Sequence, residues 1–456
     1  MKQLFSCIVF YSTIVSLITS CANIIPPGGG PKDSLPPILI QSFPKDSSLN
    51  FNSKKITLTF NEFIEVKDAL QNVVMNPLPN NAPIVDYKLR NVTVVLKDSL
   101  EANTTYTINF GNAIKDVNEG NVAENFSYVF STGKLVDNGM VTGKIVEANT
   151  ETIDSTLIVV LHKNTSDTAI LKLKPNYISK VNGKGEFKFT NLPSDSFNIF
   201  VVPNTFTKRY DDTTASFAFA NKPIYVNKNS QKINLDYFKL PALVTAQIPN
   251  YKNDKKLKFS SNVESGRFNI LDSHLIINFE KKLVVKNRSL LQFVDSNFKP
   301  IDSKTVVIDT LKGIVKLKYD FALGTKYNFI IDKQALQDSY GNSMFKTDTL
   351  KFETFGEKDY GNIKIRCNNF DLEKNPVIQL VKENSIIASL PVKGKLISKN
   401  LFNTGEYSIR ILYDENQNGI WDAGNYAIKK QPEKVKAIKT KLLVKANWDN
   451  EIEINL

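Results

Sequence analysis

Leu100-Glu101-Ala102-Asn103-Thr104-Thr105-Tyr106-Thr107-Ile108-Asn109-Phe110 is the stretch that decides the fold of this chain. Its second half alternates polar and apolar side chains with period two, the signature of a strand with one face on a core. Asp116-Val117-Asn118-Glu119-Gly120-Asn121 then reads as a turn, and Phe126-Ser127-Tyr128-Val129-Phe130 alternates again. Upstream, Lys55-Ile56-Thr57-Leu58-Thr59-Phe60 and Val92-Thr93-Val94-Val95-Leu96 have the same character. Short alternating strands this closely spaced, punctuated by Asn, Pro and Gly, predict a β-sandwich. No stretch of about ten residues carries the period of an amphipathic helix.

The same signals recur further along. Leu275-Ile276-Ile277-Asn278-Phe279 leads to Gly324-Thr325-Lys326-Tyr327-Asn328-Phe329, then to Leu336-Gln337-Asp338, Gly341-Asn342 and Leu350-Lys351-Phe352-Glu353-Thr354. Phe60 to Tyr106 is 46 residues and Phe279 to Tyr327 is 48, and the Tyr-to-Asp spacings are 10 and 11. In both copies a Gly-Asn pair offers the left-handed backbone that a turn before the closing strand requires. The two segments resemble the bacterial Ig-like domain of the S-layer-protein type. Its recognisable half, L-x-x-x-T-x-Y followed by D-x-x-G-N and a closing F-x-T, matches Leu100 to Tyr106 and Phe130-Ser131-Thr132. The second copy departs from that pattern at its start.

A second kind of unit alternates with the first. Val141-Thr142-Gly143-Lys144-Ile145-Val146 precedes Leu157-Ile158-Val159-Val160-Leu161, Gly185-Glu186-Phe187-Lys188-Phe189-Thr190-Asn191-Leu192-Pro193 and Phe197-Asn198-Ile199-Phe200-Val201-Val202. This resembles the prealbumin-like (transthyretin-like) module found on carboxypeptidases. Gly361-Asn362-Ile363, Pro376-Val377-Ile378-Gln379-Leu380 and Leu401-Phe402-Asn403-Thr404-Gly405-Glu406-Tyr407 echo it. The expected architecture is all-β, with tandem β-sandwiches in alternation: Ig-like over 38–133, prealbumin-like over 140–242, divergent Ig-like over 243–355, and prealbumin-like over 359–456. Separate cores joined by linkers near 133–140 and 355–359 are expected to unfold in more than one step.

The N-terminus carries a different message. Lys2 precedes an apolar run from Ile8 to Ile18, and Ile18-Thr19-Ser20 is followed by Cys21. A positive end, a short apolar stretch and small residues before a cleavage point describe a signal peptide over 1–20 rather than a spanning helix. The aliphatic-small-small-Cys sequence resembles the lipobox of Gram-negative envelope lipoproteins. That resemblance implies cleavage before Cys21, diacylation of its thiol and acylation of the new N-terminus with chains such as palmitate. More than one chain, at about 0.8 kcal/mol per buried methylene, makes a stable anchor. Residues 21–37, with Pro26-Pro27-Gly28-Gly29-Gly30-Pro31 and Pro36-Pro37, read as a tether reaching on the order of 50 Å when extended. In related lipoproteins an acidic run after the cysteine marks surface export. Ala22-Asn23-Ile24-Ile25 has none, so the expected place is the periplasmic face of the outer membrane, with surface exposure the alternative.

Composition narrows the function classes. With Cys7 in the signal and Cys21 acylated, Cys367 would be the one thiol left, so no disulfide framework holds the mature chain. His162 and His274 are the two histidines, each beside an aliphatic run, which argues against imidazole chemistry. Walker, dinucleotide-binding and HExxH patterns are absent from the sequence. The net charge of +12 suits an anionic polysaccharide or plain solubility, and an exported chain does not meet nucleic acid. Lys429 to Lys445 holds seven Lys against one Glu.

One segment carries candidate metal chemistry. Asp414-Glu415-Asn416-Gln417-Asn418-Gly419-Ile420-Trp421-Asp422 puts oxygen side chains at positions 1, 3, 5 and 9, glycine at 6 and a carbonyl at 7, the spacing of a calcium loop. Asp414, Asn416, Asn418, the Ile420 carbonyl and Asp422 are the expected ligands. Asn425 stands where a bidentate Glu belongs, so the affinity would be weak. The alternative is an Asx-rich turn capping its own backbone, with Trp421 packed on the sandwich. Arg209-Tyr210-Asp211-Asp212 reads as a loop with an Arg–Asp bridge, and Glu62, Glu65 and Asp68 as an acidic loop. Trp421 and Trp448 are the possible sugar-stacking rings. The expected function is a non-catalytic outer-membrane lipoprotein that scaffolds or binds envelope proteins. Carbohydrate binding is the alternative, and a glycan or peptide hydrolase the rival from another class.

Overall fold

The structure is a computed structural model that describes residues 33–228, 231–240, 256–301 and 306–456. The expected signal peptide, Cys21 and most of the tether lie outside the described residues, as does the boundary expected at 242/243. The described chain is a series of tandem β-sandwiches. The first forms one compact unit, and the other three form a second.

In the first sandwich, four strands run in the order Leu39–Phe43, Lys55–Phe60, Asn91–Val95, Ile84–Lys88. Val74–Asn76, Thr105–Gly111 and Phe126–Ser131 make the second sheet, and Ile64–Val66 pairs with Ile114–Asp116. Alternation explains the core. Ile56, Leu58, Phe60, Val92 and Val94 from one sheet meet Ile108, Phe110, Tyr128 and Phe130 from the other. The third sandwich repeats this plan. Ser260–Ser261, Leu275–Asn278, Ile314–Leu317 and Val306–Asp309 form one sheet. Arg267–Phe268, Asp348–Thr354, Lys326–Ile331 and Leu291–Asp295 form the other, and Leu283–Val285 pairs with Leu336–Asp338.

The shared sequence pattern does the same work in both copies. Tyr106 Oη accepts from the Glu101 amide at 2.8 Å and Tyr327 Oη from the Ala322 amide at 3.3 Å. Thr132 Oγ1 donates to Glu101 O at 2.7 Å, and Thr354 Oγ1 to Ala322 O at 2.6 Å. Asp116 takes the amides of Glu119, Gly120 and Asn121 at 2.6, 3.0 and 2.6 Å. Burial works to raise its pKa, but these amides outweigh it and hold the carboxyl below its usual range. Asp338 does likewise with Tyr340 and Asn342, and Gly120 and Gly341 take φ of +80° and +85° in the turns.

The second and fourth sandwiches share another plan, in which the first strand pairs in parallel with the last. Gly139–Glu147 lies between Glu186–Leu192 and Gln231–Tyr237, while Gly361–Asn368 lies between Leu396–Phe402 and Asp449–Asn455. The opposing sheets run Tyr177–Lys180, Leu157–His162, Ser196–Pro203, Ala218–Phe219, and Ser385–Pro391, Pro376–Lys382, Gly405–Tyr413, Lys434–Val444. Gly143 is required by close approach: a Cβ there would sit 1.8 Å from Ile233 O, against the Phe187 ring.

These two sandwiches also pack on each other, which the expectation of separate cores did not include. All six residues of Leu157–His162 are buried, and Gln379 is buried within Pro376–Lys382. A strand covered on both faces reads as a continuous apolar run. Arg410 reaches across to Asn149 O and Oδ1 at 3.1 and 3.0 Å while its Nε donates to Gln379 Oε1 at 2.8 Å. The Ala437 amide of the Lys434–Val444 strand donates to Glu151 Oε2 at 2.9 Å. Residues 355–359 are likewise pinned, because Arg267 holds Asp359 through two hydrogen bonds at 3.1 and 2.5 Å.

Candidate functional site

The acidic loop of the fourth sandwich leaves the Gly405–Tyr413 strand at Asp414 and rejoins the sheet at Lys434. Asp414 is buried, and its carboxylate accepts the Asn418 amide at 3.2 Å and the Gly419 amide at 2.7 Å. Asn416 Oδ1 takes the Asn418 amide at 3.1 Å, and Asn418 Oδ1 takes the Ile420 amide at 2.8 Å. Gln417 and Gly419, with φ of +61° and +79°, make the sharp turns between them. Asp422 Oδ2 accepts from the side-chain amides of Asn416 and Asn418 and lies 3.6 Å from Lys430 Nζ.

A carboxylate that the loop spacing does not include closes the site. Glu433 is buried, and its two oxygens accept the amides of Glu415 and Asp422 at 2.9 Å each, clamping both ends of the loop. Burial raises its pKa, the two amides lower it, and Asp422 and Asp414 raise it further. Glu433 is the lone acid among the seven lysines of 429–445, which was its one signal in the sequence. Asn425 turns away and caps the Ala427 amide at 3.0 Å. Trp421 packs on Val377, Leu412 and Val435 and donates Nε1–H to Glu433 O at 2.9 Å, so its ring is a structural element. Trp448 is exposed, with Lys445 Nζ 5.1 Å from its ring centroid.

The loop continues into the contact with the second sandwich. The Tyr426 ring lies 5.0 Å from Phe219, 5.4 Å from Phe217 and 5.6 Å from Phe200, and its hydroxyl donates to Asp167 O at 3.0 Å. Lys429 Nζ sits 3.7 Å from the Tyr426 centroid and bridges Asp167 at 2.6 Å. Gly424 lies so close to Phe238 that a Cβ would meet its ring at 2.4 Å.

The other candidates fall into structural roles. Arg209 donates to Lys172 O at 3.1 Å, correcting the expected Arg–Asp bridge, while Asp212 caps the Thr214 amide at 2.8 Å. Glu65 bridges Lys115 at 2.7 Å. Glu62 has its pKa raised by burial, then by Asp116, Asp33 and Glu119. Cys367 is a buried strand residue whose thiol burial pushes up. His162 is buried, and its Nε2 has no hydrogen-bond partner among the described residues. Among the described residues, no three His, Cys, Asp or Glu side chains form a metal-binding group, and no helix is long and apolar enough to cross a membrane.

Residues 33–132 match the family of bacterial Ig-like domains. Solved structures similar to the chain include the TIE protein of Bacillus anthracis, at 11% identity and TM-score 0.18 over 94% of this chain and 76% of that one. The major pilin subunit BcpA of Bacillus cereus is 9% identical over 70% of this chain and 99% of its own, with TM-score 0.18. The S-layer protein rSbsC is 11% identical over 92% of this chain and 54% of its own, with TM-score 0.16. No curated protein matches the chain.

Proposed function

We propose that this chain is a non-catalytic envelope lipoprotein, acylated at Cys21, in which tandem β-sandwiches scaffold or bind other envelope components. The observation that carries this reading is the use made of the acids. Asp116, Asp338, Asp414 and Glu433 spend their oxygens on backbone amides that close turns, leaving them committed to architecture. A hydrolase would need a pair of carboxyls free to meet substrate across a cleft. The Ig-like match over 33–132 supports a modular, repeated body. The outer membrane, periplasmic side, is the proposed location, and envelope proteins or an anionic polysaccharide the proposed partners. Calcium at Asp414, Asn416, Asn418, the Ile420 carbonyl and Asp422 belongs to the same proposal. To take an ion, Asn416 and Asn418 must rotate their amide oxygens to where their nitrogens now meet Asp422.

Fractionation tests the anchor. Cys21→Ser is expected to move the protein from the membrane pellet to the soluble envelope fraction, and a Ser variant that still sediments with membranes refutes the assignment.

A further inference from the structure

We propose that the outer face of the third sandwich carries a cleft for acidic sugar chains, in which Lys326 and Lys351 pair with uronate carboxylates, Asn328 and Glu353 hold hydroxyls, and Phe298 stacks on a sugar ring. The cleft measures about 340 Å³, inside the range of about 300–1,000 Å³ usual for small-ligand sites. Strand alternation builds it. Tyr327, Phe329 and Phe352 point into the core, so Lys326, Asn328, Lys351 and Glu353 stand on the opposite face. In the ladder Lys326 lies opposite Glu353, and Asn328 opposite Lys351. The turn after Leu291–Asp295 forms one wall. Asp295 Oδ1 accepts the amides of Asn297 and Lys299 at 2.9 Å each, and Asn328 Nδ2 donates to Asp295 O at 2.8 Å, which ties the turn to the sheet. Phe298, with φ of +63°, is 53% exposed in that turn and lines the cleft beside Ser296.

The internal repeat shows how this face differs between the copies. In the first sandwich the residues corresponding to Lys326 and Asn328 are Thr105 and Thr107, only 3% and 6% exposed. The Asp137 amide donates to Thr105 Oγ1 at 2.9 Å and Thr107 Oγ1 to Asn191 Oδ1 at 3.4 Å, all within one compact unit. There the face is closed by the chain itself. In the third sandwich it is open, and Val129 is replaced by Lys351. Lys326 and Lys351 form no ion pair among the described residues. The mixture of groups selects the occupant. Two ammoniums call for anions, while Glu353, which stands beside Arg267 in the ladder, repels a plain polyanion and accepts from hydroxyls. An aromatic ring takes the apolar face of a pyranose. A uronic acid residue offers carboxylate, hydroxyls and such a face together.

The inference rests on the reading of an anionic polysaccharide as partner, and the two fail separately. Full-length protein in mild detergent is titrated by calorimetry with polygalacturonate and with alginate, two uronic acid polymers. Dextran serves as the neutral control and dextran sulfate as the charge control. Binding to both uronic acid polymers and not to dextran is expected, weakening with added salt. Lys326→Gln with Lys351→Gln should weaken it about tenfold. Phe298→Asn, which keeps a residue suited to the left-handed backbone, should weaken it about fivefold. The Phe298→Asn melting temperature should not move, since that ring lies outside the core of the sandwich. Dextran sulfate bound as tightly, with no effect of Phe298→Asn, would reveal a plain cationic patch and overturn the proposal. Binding of the uronic acid polymers that both variants retain also overturns the cleft, while leaving a polysaccharide partner on another surface. Absence of binding to either polymer refutes the cleft and the polysaccharide partner together, and the membrane fractionation of Cys21→Ser still decides the anchor.

Discussion

Acidification should loosen the second sandwich through one side chain, His162. It is 1% exposed, and burial pulls its pKa from 6.5 to about 4. Its ring lies edge-on to Phe200, with centroids 5.9 Å apart. A folded pKa below the unfolded one means that the unfolded chain binds the extra proton as pH falls from 6.5 towards 4. The associated stability is complete above pH 6.5 and is lost through that window. At about 1.36 kcal/mol per pH unit the full loss is about 3 kcal/mol, of which about 2.5 kcal/mol has gone by about pH 4.5. The replacement His162→Leu removes the titration and keeps an apolar side chain of similar bulk. Hydrogen exchange of the Leu157–His162 and Ser196–Pro203 strands, compared near pH 7 and pH 4.5, reads the local opening free energy. Carboxylates titrate alike in both proteins, so the difference isolates the imidazole. The expected result is a wild-type opening energy that falls with pH more steeply than the variant's, by about 2.5 kcal/mol. Parallel pH dependence in the two proteins refutes the reasoning.

The repeat itself suggests a stabilising exchange. Lys281 Nζ sits 3.0 Å from Asp338 in the third sandwich, whereas the corresponding residue of the first is Glu62, whose pKa Asp116 helps to raise. Glu62→Lys should restore the missing charge pairing and raise the stability of the first sandwich by about 1–2 kcal/mol; an unchanged or lower melting temperature counts against it. Tyr426→Ala should remove about 2 kcal/mol from the contact between the second and fourth sandwiches and split their shared calorimetric transition. Wild-type protein in which the two already melt apart would show that the contact is not cooperative. Calcium at ten times its dissociation constant should stabilise the fourth sandwich by about 1.4 kcal/mol, more than magnesium does, with the effect lost in Asp414→Ala. Equal melting curves in chelator and in calcium leave the self-capped turn as the whole account.

Short-range pattern carried most of the fold. Alternation at Lys55–Phe60 and Thr105–Gly111 identifies the strands, and Tyr106, Asp116 and Thr132 with Tyr327, Asp338 and Thr354 identify a repeated topology: the Tyr and Asp side chains bond within their own turns, and Thr132 and Thr354 return to the Glu101 and Ala322 carbonyls at the same turns that the tyrosines hold. The pairing of the second and fourth sandwiches was not legible in the same way. The unbroken apolar run Leu157 to Leu161 was visible as a strand, but the contact between the sandwiches is made by Tyr426, whose ring meets Phe200, Phe217 and Phe219 from more than 200 residues away in sequence. In the candidate site, Asp414, Asn416, Asn418 and Asp422 follow a local spacing and were found by it. Glu433 acts from the far side of the loop, and Arg209 bonds a backbone carbonyl that no side-chain pattern marks.

The parallel pairing of Gly139–Glu147 with Gln231–Tyr237 has a mechanical consequence. Because both strands run the same way, the chain enters this sandwich at one end of the ladder and leaves it at the other. Tension along the backbone then drags the two strands past each other, loading their rungs together instead of peeling them off in turn. Seven residue pairs, Val141 with Gln231 through Glu147 with Tyr237, share that load. The module is thus a link that resists being drawn out lengthwise, where an antiparallel pair of end strands would unzip one rung at a time.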